Sequence, residues 1–430
     1  MPLRLGRLLP ETAFLRKLSI LASGTIFGQA LVILSSPFLT RLFSPEEFGL
    51  FAVFAGLAAI GGVVAALRYE FAIVVVEDDR DAATLVLVAA IISVLIALIL
   101  AGLIWALGDR FLDLVKTPTL GPWLWLLPPA MLLWGLGSAL TYWSVRQRNY
   151  RINAHNRILQ LGSQAGGQLG LGLLGTGVPG LILGYALGYV VRLGHFLGRL
   201  TAEELDLLCR QRPARLWRMA LGSWRYPVFG FPAAILQSTC QHAPAILLAA
   251  LYGPAIAGFF ALSQRIMGLP VRILSEAASS VFIGEIRDVA TIDLHRYFLR
   301  TTTLFAGLGL LGATPLVLFA PQLFALVFGE AWREAGVIVQ VLIPLYLVRF
   351  VVQPVSMILY YFKRQEVHLL SAALNGLALV GSFGGGHLLA LDARSTLLMF
   401  SVASASSFLL TLYVSWRLAW HARAASPARA

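Results

Sequence analysis

The sequence predicts an all-α membrane protein of about 12 transmembrane helices, built as two six-helix lobes related by a pseudo-twofold axis. Three observations lead there. The 430-residue chain is 58% hydrophobic and 13% charged, and its apolar residues come in runs of about 20, the length that crosses a hydrocarbon core. Basic residues gather in alternate connections: with a cytoplasmic N-terminus, roughly 24 of the 33 Lys and Arg fall inside and about 5 outside. One short stretch is also written twice, at corresponding places in the two halves.

The spans lie near 18–40, 46–68, 83–107, 120–143, 157–175, 178–198, 228–250, 255–282, 298–320, 336–361, 367–389 and 395–417. The first follows Arg16-Lys17 and "LSILASGTIFGQA", a basic, apolar, then small order that mimics a secretory signal. Its apolar run continues to Pro37, long enough to span, which favours a retained helix. The second begins in "RLFSPEEFGLFA", Arg41 to Ala52. Ser44 fits an N-cap, Pro45 the first helical position, and Glu47 the residue that reaches back, a capping box. Before the third, Glu77, Asp78, Asp79 and Asp81 complement a helix N-terminus in water; as metal ligands they qualify only by number.

The fourth span is a plain apolar run closed by the basic "VRQRNYRINAHNR", and the fifth is interrupted by Gln160, Gln164 and Gln168. Arg192 sits low in the sixth, where a long side chain can snorkel to the interface. A long basic segment then marks the domain boundary: lobes over 1–205 and 228–430, joined by a cytoplasmic linker, 206–227. The seventh span carries Gln237 and His242. The eighth starts in "LYGPAIAGFFA", which matches "LFSPEEFGLFA" at Leu, Pro, Gly, Phe and Ala without a gap. The second copy has no carboxylates, which argues against a catalytic Glu46-Glu47 pair. An even number of spans per half gives both halves the same orientation, with the axis along the membrane normal and substrate handled between them. The ninth contains "GLGLLG"; the tenth carries Arg349 between Pro344 and Pro354, residues that favour a broken helix; the eleventh holds Asn375 and His387; the twelfth precedes a cytoplasmic C-terminus.

Several chemistries are disfavoured. Cys209 and Cys240 lie far apart with no CxxC spacing, and neither a Walker A lysine nor HExxH occurs. The two "GLGLLG" copies match GxGxxG, but lie in apolar runs with no strand before them; with Gly166 to Gly170 they read as close helix contacts. The net charge of +12 follows loop topology, so no nucleic-acid partner is expected, and no cofactor or metal.

"LTRLFSPEEFGLFAVF" and "ALRYEFAIVV", with "YPVFGFPAAILQSTCQHAPAILLAALYGPAIAGFFALSQRIMGLP" in the second half, closely resemble bacterial polysaccharide flippases of the Wzx type. The resemblance is specific over 38–81 and 226–285. It implies membership of the multidrug/oligosaccharidyl-lipid/polysaccharide exporter superfamily and transport of undecaprenyl-diphosphate-linked sugar units across the bacterial inner membrane. Pathway glycosyltransferases or a glycan polymerase are the expected partners besides membrane lipids.

Charges inside spans are costly and mark a pathway by default. Arg265 lies about 16 Å along its span at ~1.5 Å per residue, with no local partner, whereas Arg272 and Glu276 form an i,i+4 pair on the same face. Arg265 and Arg349 are the candidates for binding a diphosphate, since guanidinium forks pair bidentately with phosphate oxygens and stay charged when desolvated. Gln29, Gln237, His242, Arg272 and Glu276 are candidate cavity-lining residues, although amides also stitch helices together. Arg68 and Glu70 are candidates for a cytoplasmic gate. A flippase rather than an enzyme is therefore expected. The alternatives are a drug/cation antiporter of the same superfamily, which would favour buried carboxylates, and a membrane glycan polymerase or ligase, which the short outer loops disfavour.

Overall fold

The structure, a computed structural model, describes residues 8–285, 294–364 and 366–424. No β-strand occurs among the described residues. The first elements are α1 (Leu8–Leu42), α2 (Pro45–Val64), α3 (Ala72–Val75), α4 (Asp79–Val115), α5 (Gly121–Leu124), α6 (Leu127–Arg146), α7 (Tyr150–Leu173) and α8 (Val178–Leu197). Two short helices follow, α9 (Ala202–Cys209) and α10 (Pro213–Gly222). The remainder is α11 (Phe231–Tyr252), α12 (Pro254–Glu285), α13 (Leu294–Phe328), α14 (Arg333–Val355), α15 (Ile358–Tyr361), α16 (Glu366–Leu388) and α17 (Ala393–Ala424).

This is a multi-pass membrane protein. Among the described residues, 8 helices are long and apolar enough to cross a membrane, or 9 if the pair Pro118–Leu124 and Leu127–Arg146, bent by 50°, is one span. The expected count of about 12 is not reached on that criterion. α7 falls short because Arg151, Arg157 and three glutamines interrupt it; α12 carries Arg265, Arg272 and Glu276. In α1 the apolar stretch is the shorter Ile26–Leu42.

Local chemistry sets the helix ends. The Ser44 N–H donates to Glu47 Oε2 at 2.7 Å, and the Glu47 N–H donates to Ser44 Oγ at 3.3 Å, so α2 opens on the expected capping box. Asp78 caps α4 by accepting from the Arg80 N–H at 3.1 Å. Lys116, left-handed at φ 53°, ends it. α14 runs through Pro344 but stops just after Pro354, with the chain resuming as α15, so the expected break falls at the second proline.

Contacts divide the chain into two compact units: Met1–Phe43 with Leu50–Ile246, and Ser44–Gly49 with Leu247–Ala430. This division differs from one at a 206–227 linker for two physical reasons. The linker folds as α9, closed by a Thr201–Glu204 capping box, and α10, and both pack on α4. The first part of α11 also lies along α2, where Ser238 Oγ meets the Ala59 carbonyl at 3.5 Å.

In the first unit, α7 packs on α1 and α8, and α6 on α4 and α8. Two glycines of α8 admit the glutamine-bearing face of α7. A Cβ on Gly184 would lie 2.5 Å from the Gln168 backbone nitrogen, and one on Gly188 would lie 2.7 Å from the Gln160 carbonyl. The GxxxG reading of Gly166 and Gly170 is corrected: a Cβ on either would meet open space. So would one on Gly307 or Gly312, and the contacts of the two "GLGLLG" stretches are made instead by Gly172 against Phe43 and Gly309 against Leu347. In the second unit α14 is central, touching α12, α13 and α17, while α16 packs on α17. Trp332 is buried there between the edges of Phe48 and Phe259, with ring centroids 5.0 and 5.9 Å away.

Candidate functional site

Arg265 and Arg349 belong to the second unit and lie on packed neighbours, α12 and α14. Two hydrogen bonds fix the register of this pair: Ser263 Oγ to the Ala335 carbonyl at 2.8 Å, and Ser279 Oγ to the Gln353 carbonyl at 3.4 Å. Both partners advance together, so the helices run parallel. That register sets Arg349 level with Ser275, about 15 Å along the axis from Arg265 at ~1.5 Å per residue. Both guanidinium side chains are half-buried, and neither has a carboxylate within ion-pair distance among the described residues. Tyr346 sits between their levels, its hydroxyl 3.9 Å from where a Cβ on Gly268 would be. Arg272 and Glu276 are on α12, but their side chains lie outside the described residues. A shallow groove between α16 and α17, lined by Leu374, Leu377, Ala378, Met399, Ala403 and Leu410, carries no charge and is separate from these arginines.

The other expected residues lie in the first unit. Gln29 is buried on α1, Gln237 is exposed and His242 half-buried on α11, and no hydrogen bond among the described residues joins the three. Arg192 does not snorkel. It donates to the Gly137 carbonyl at 3.0 Å and to Thr141 Oγ1 at 2.6 Å on α6. A wider polar network around it was missed in the sequence. The Tyr185 and Tyr189 hydroxyls are 3.2 Å apart, Trp134 stacks on Tyr189 at 5.3 Å, and Gln168 Nε2 donates to the Leu181 carbonyl at 2.9 Å. The signal was present: Tyr185, Tyr189 and Arg192 recur at i, i+4 and i+7 on α8, opposite Gln160, Gln164 and Gln168 on α7.

Arg68 and Glu70 pair with each other at 3.8 Å, beside the tight turn in which Leu67 (φ 46°) and Arg68 (φ 67°) are left-handed. Arg68 also covers the Phe71 ring at 5.1 Å. Burial pushes the Glu70 carboxyl up, opposed by its backbone hydrogen bond and by the Arg68 charge. The nearby acids are engaged by arginines. Arg146 donates to Asp79 at 2.8 Å and to the carbonyls of Ile73, Val76 and Glu77; Arg215 meets Asp78 and Asp81, each at 2.8 Å. The Asp78 carboxyl is held below its ordinary range, chiefly by the Arg80 N–H and then by Arg215.

The known family of polysaccharide biosynthesis proteins matches residues 38–337, more than half of the chain. The chain belongs to that family. The match takes in both stretches that carry the sequence resemblance, 38–81 and 226–285. No curated protein matches it. Among solved structures, this polysaccharide biosynthesis protein is similar to the lipid II flippase MurJ in an inward closed conformation, at TM-score 0.69 and 12% identity over 92% of this chain and 87% of that one. It is also similar to an inward-facing multidrug resistance MATE family transporter of the MOP superfamily, at TM-score 0.65 and 16% identity over 96% and 99%. An outward-facing transporter of that family gives 0.54 at 13% identity over 95% and 96%. At these identities the likeness is one of fold.

Proposed function

We propose that this protein is a flippase that moves undecaprenyl-diphosphate-linked oligosaccharide units across the bacterial inner membrane by alternating access between two pseudo-twofold lobes. It serves O-antigen, capsule or exopolysaccharide synthesis and keeps both termini in the cytoplasm. The observation that carries the reading is Arg265: a half-buried guanidinium inside the 32-residue helix α12, with no carboxylate beside it among the described residues. A half-buried cation without an acidic neighbour in a membrane protein is costly, so the position favours an anionic ligand.

Arg265 takes the substrate diphosphate through its fork of donors, and Arg349, farther along the neighbouring helix, offers a second cationic station on one track. Gln29, Gln237 and His242 of the first unit meet sugar hydroxyls, while the polyprenyl tail stays in the bilayer. Arg68 and Glu70 stand at the cytoplasmic gate. The chain performs no bond chemistry; glycosyltransferases and a polymerase act before and after it. The family match supports this reading over a cation antiporter, and among the described residues no large soluble connection stands ready to house a polymerase or ligase.

The test is surface-glycan export in a strain that depends on this protein. Arg265→Ala should abolish export while membrane-inserted protein stays at the normal level, and Arg265→Lys should retain part of it because the charge survives without the bidentate fork. Normal export by Arg265→Ala would overturn the assignment. Loss of the protein from the membrane would assign Arg265 to folding instead.

A further inference from the structure

α10 is short but strongly two-faced. One face is fixed to the first unit. Arg215 holds Asp78 and Asp81, the Tyr69 hydroxyl donates to the Ala220 carbonyl at 3.0 Å, and Leu216, Met219 and Ala220 pack on the buried cluster containing Ile73, Leu85 and Trp143. The opposite face is uncovered: Trp217 is 69% exposed, Leu221 54% and Trp224 47%. Trp217 and Leu221 stand at i and i+4 on α10, and Trp224, in the turn just past its end at Gly222, extends them into one exposed apolar stripe. Arg218 on the helix and Arg225 just beyond it flank the stripe; both are exposed, and neither has a carboxylate partner among the described residues.

The level of this stripe follows from what holds it. α4 opens with polar Asp79 and Asp81 and turns apolar and buried at once, from Ala82 onward. α10 is clamped to that first turn, where a membrane-crossing helix leaves hydrocarbon for headgroups. The apolar surface is also continuous with a span. The Trp224 ring meets Phe229 at 6.0 Å, and Phe229, itself 67% exposed, lies in the first turn of the candidate span Tyr226–Tyr252. Tryptophan prefers this interfacial layer, with its ring among the acyl ends and its N–H among the headgroups.

We propose that α10 is an interfacial helix that binds anionic phospholipid. Trp217, Leu221 and Trp224 enter the acyl boundary, and Arg218 and Arg225 meet the headgroup phosphates. Charge decides between lipid classes: Asp78 and Asp81, the carboxylates that meet α10, are held by Arg215, while the exposed Arg218 and Arg225 favour an anionic surface over a zwitterionic one.

The experiment uses the full chain with Cys209 and Cys240 replaced by serine and one nitroxide attached at Leu221→Cys. It is reconstituted in phosphatidylcholine vesicles with or without phosphatidylglycerol. The label should collide with oxygen in preference to a water-soluble nickel chelate, and phosphatidylglycerol should strengthen that preference. Arg218→Gln with Arg225→Gln should remove the added effect, by about fivefold in the inserted-to-free ratio per arginine. Thermal stability should stay unchanged in that variant, since both side chains are exposed. A label open to the chelate in both vesicles overturns the proposal. Equal protection with and without phosphatidylglycerol overturns its anionic part, and protection only after another membrane protein is added reassigns the face to a protein partner.

Discussion

Glu70 shows what a single residue can hide from sequence reading. "RYEF" announces a charged island at the end of an apolar run, but not that the carboxyl is nearly enclosed, its side chain only 7% exposed, with Arg68 3.8 Å away. Burial raises its pKa above the ordinary 4.5, so folding favours the protonated form. The sign follows directly. Its contribution is most favourable below 4.5 and is lost as pH rises through the raised folded value. Glu70→Gln should therefore melt higher than the parent at neutral pH, with the gap closing on acidification below 4.5; an unchanged or lower melting temperature would show that the carboxylate is stabilising as an ion. Arg68→Gln should push the Glu70 carboxyl further up, because it removes the opposing charge, and a labelled-carboxyl NMR titration would read this. Arg192 was misread for a related reason. Its partners are a backbone carbonyl, which every residue has, and a threonine on another helix. Residue type and depth contain neither.

At the scale of elements, the repeated motif was legible and its consequence was not. The Ser44–Glu47 box could be read outright, since its partners lie three residues apart in sequence. What the sequence could not show is that the two copies touch each other within the second unit. A Cβ on Gly49 would come 1.7 Å from the Pro254 carbonyl oxygen, and one on Gly258 would come 1.9 Å from that of Pro45. The contact is reciprocal between aligned residues, and it explains why glycine is kept in both copies while the carboxylates are not. Backbone has to move to admit either methyl, an overpacking cost of about 1–3 kcal/mol. Gly49→Ala and Gly258→Ala should each lower the melting temperature in detergent or nanodiscs, and the double variant should cost less than the sum, because both changes open one crossing. Strict additivity would mean that the two sites act independently. The linker was the converse case. Its basic composition reads as a solvated connection, and only the placement of Arg215 against Asp78 and Asp81 turns it into a docked helix.

For the whole molecule, length and apolar periodicity sufficed for an all-α multi-pass fold, and the family follows from the match over 38–337. The count of spans was harder, because α7 and α12 dilute their apolar surface with glutamines and arginines. On the function proposed above, those polar residues also bear on what can be carried. MATE and MurJ structures share this fold at 12–16% identity, so fold alone does not distinguish a multidrug transporter from a lipid flippase. With Arg265 in the role proposed above, charge would: a cation passing 4 Å from it would meet repulsion of about 4 kcal/mol at an effective dielectric constant near 20, roughly a thousandfold in occupancy, whereas a diphosphate would be attracted. In proteoliposomes, a fluorescent polyprenyl-diphosphate sugar should therefore reach an externally added, membrane-impermeant glycosidase in the presence of the protein, with Arg265→Ala abolishing the effect. A lipophilic cationic dye in the same vesicles should move no faster than in protein-free ones. Dye transport that survives or improves in Arg265→Ala, without sugar-lipid transport by the parent, would transfer the protein to the antiporter reading.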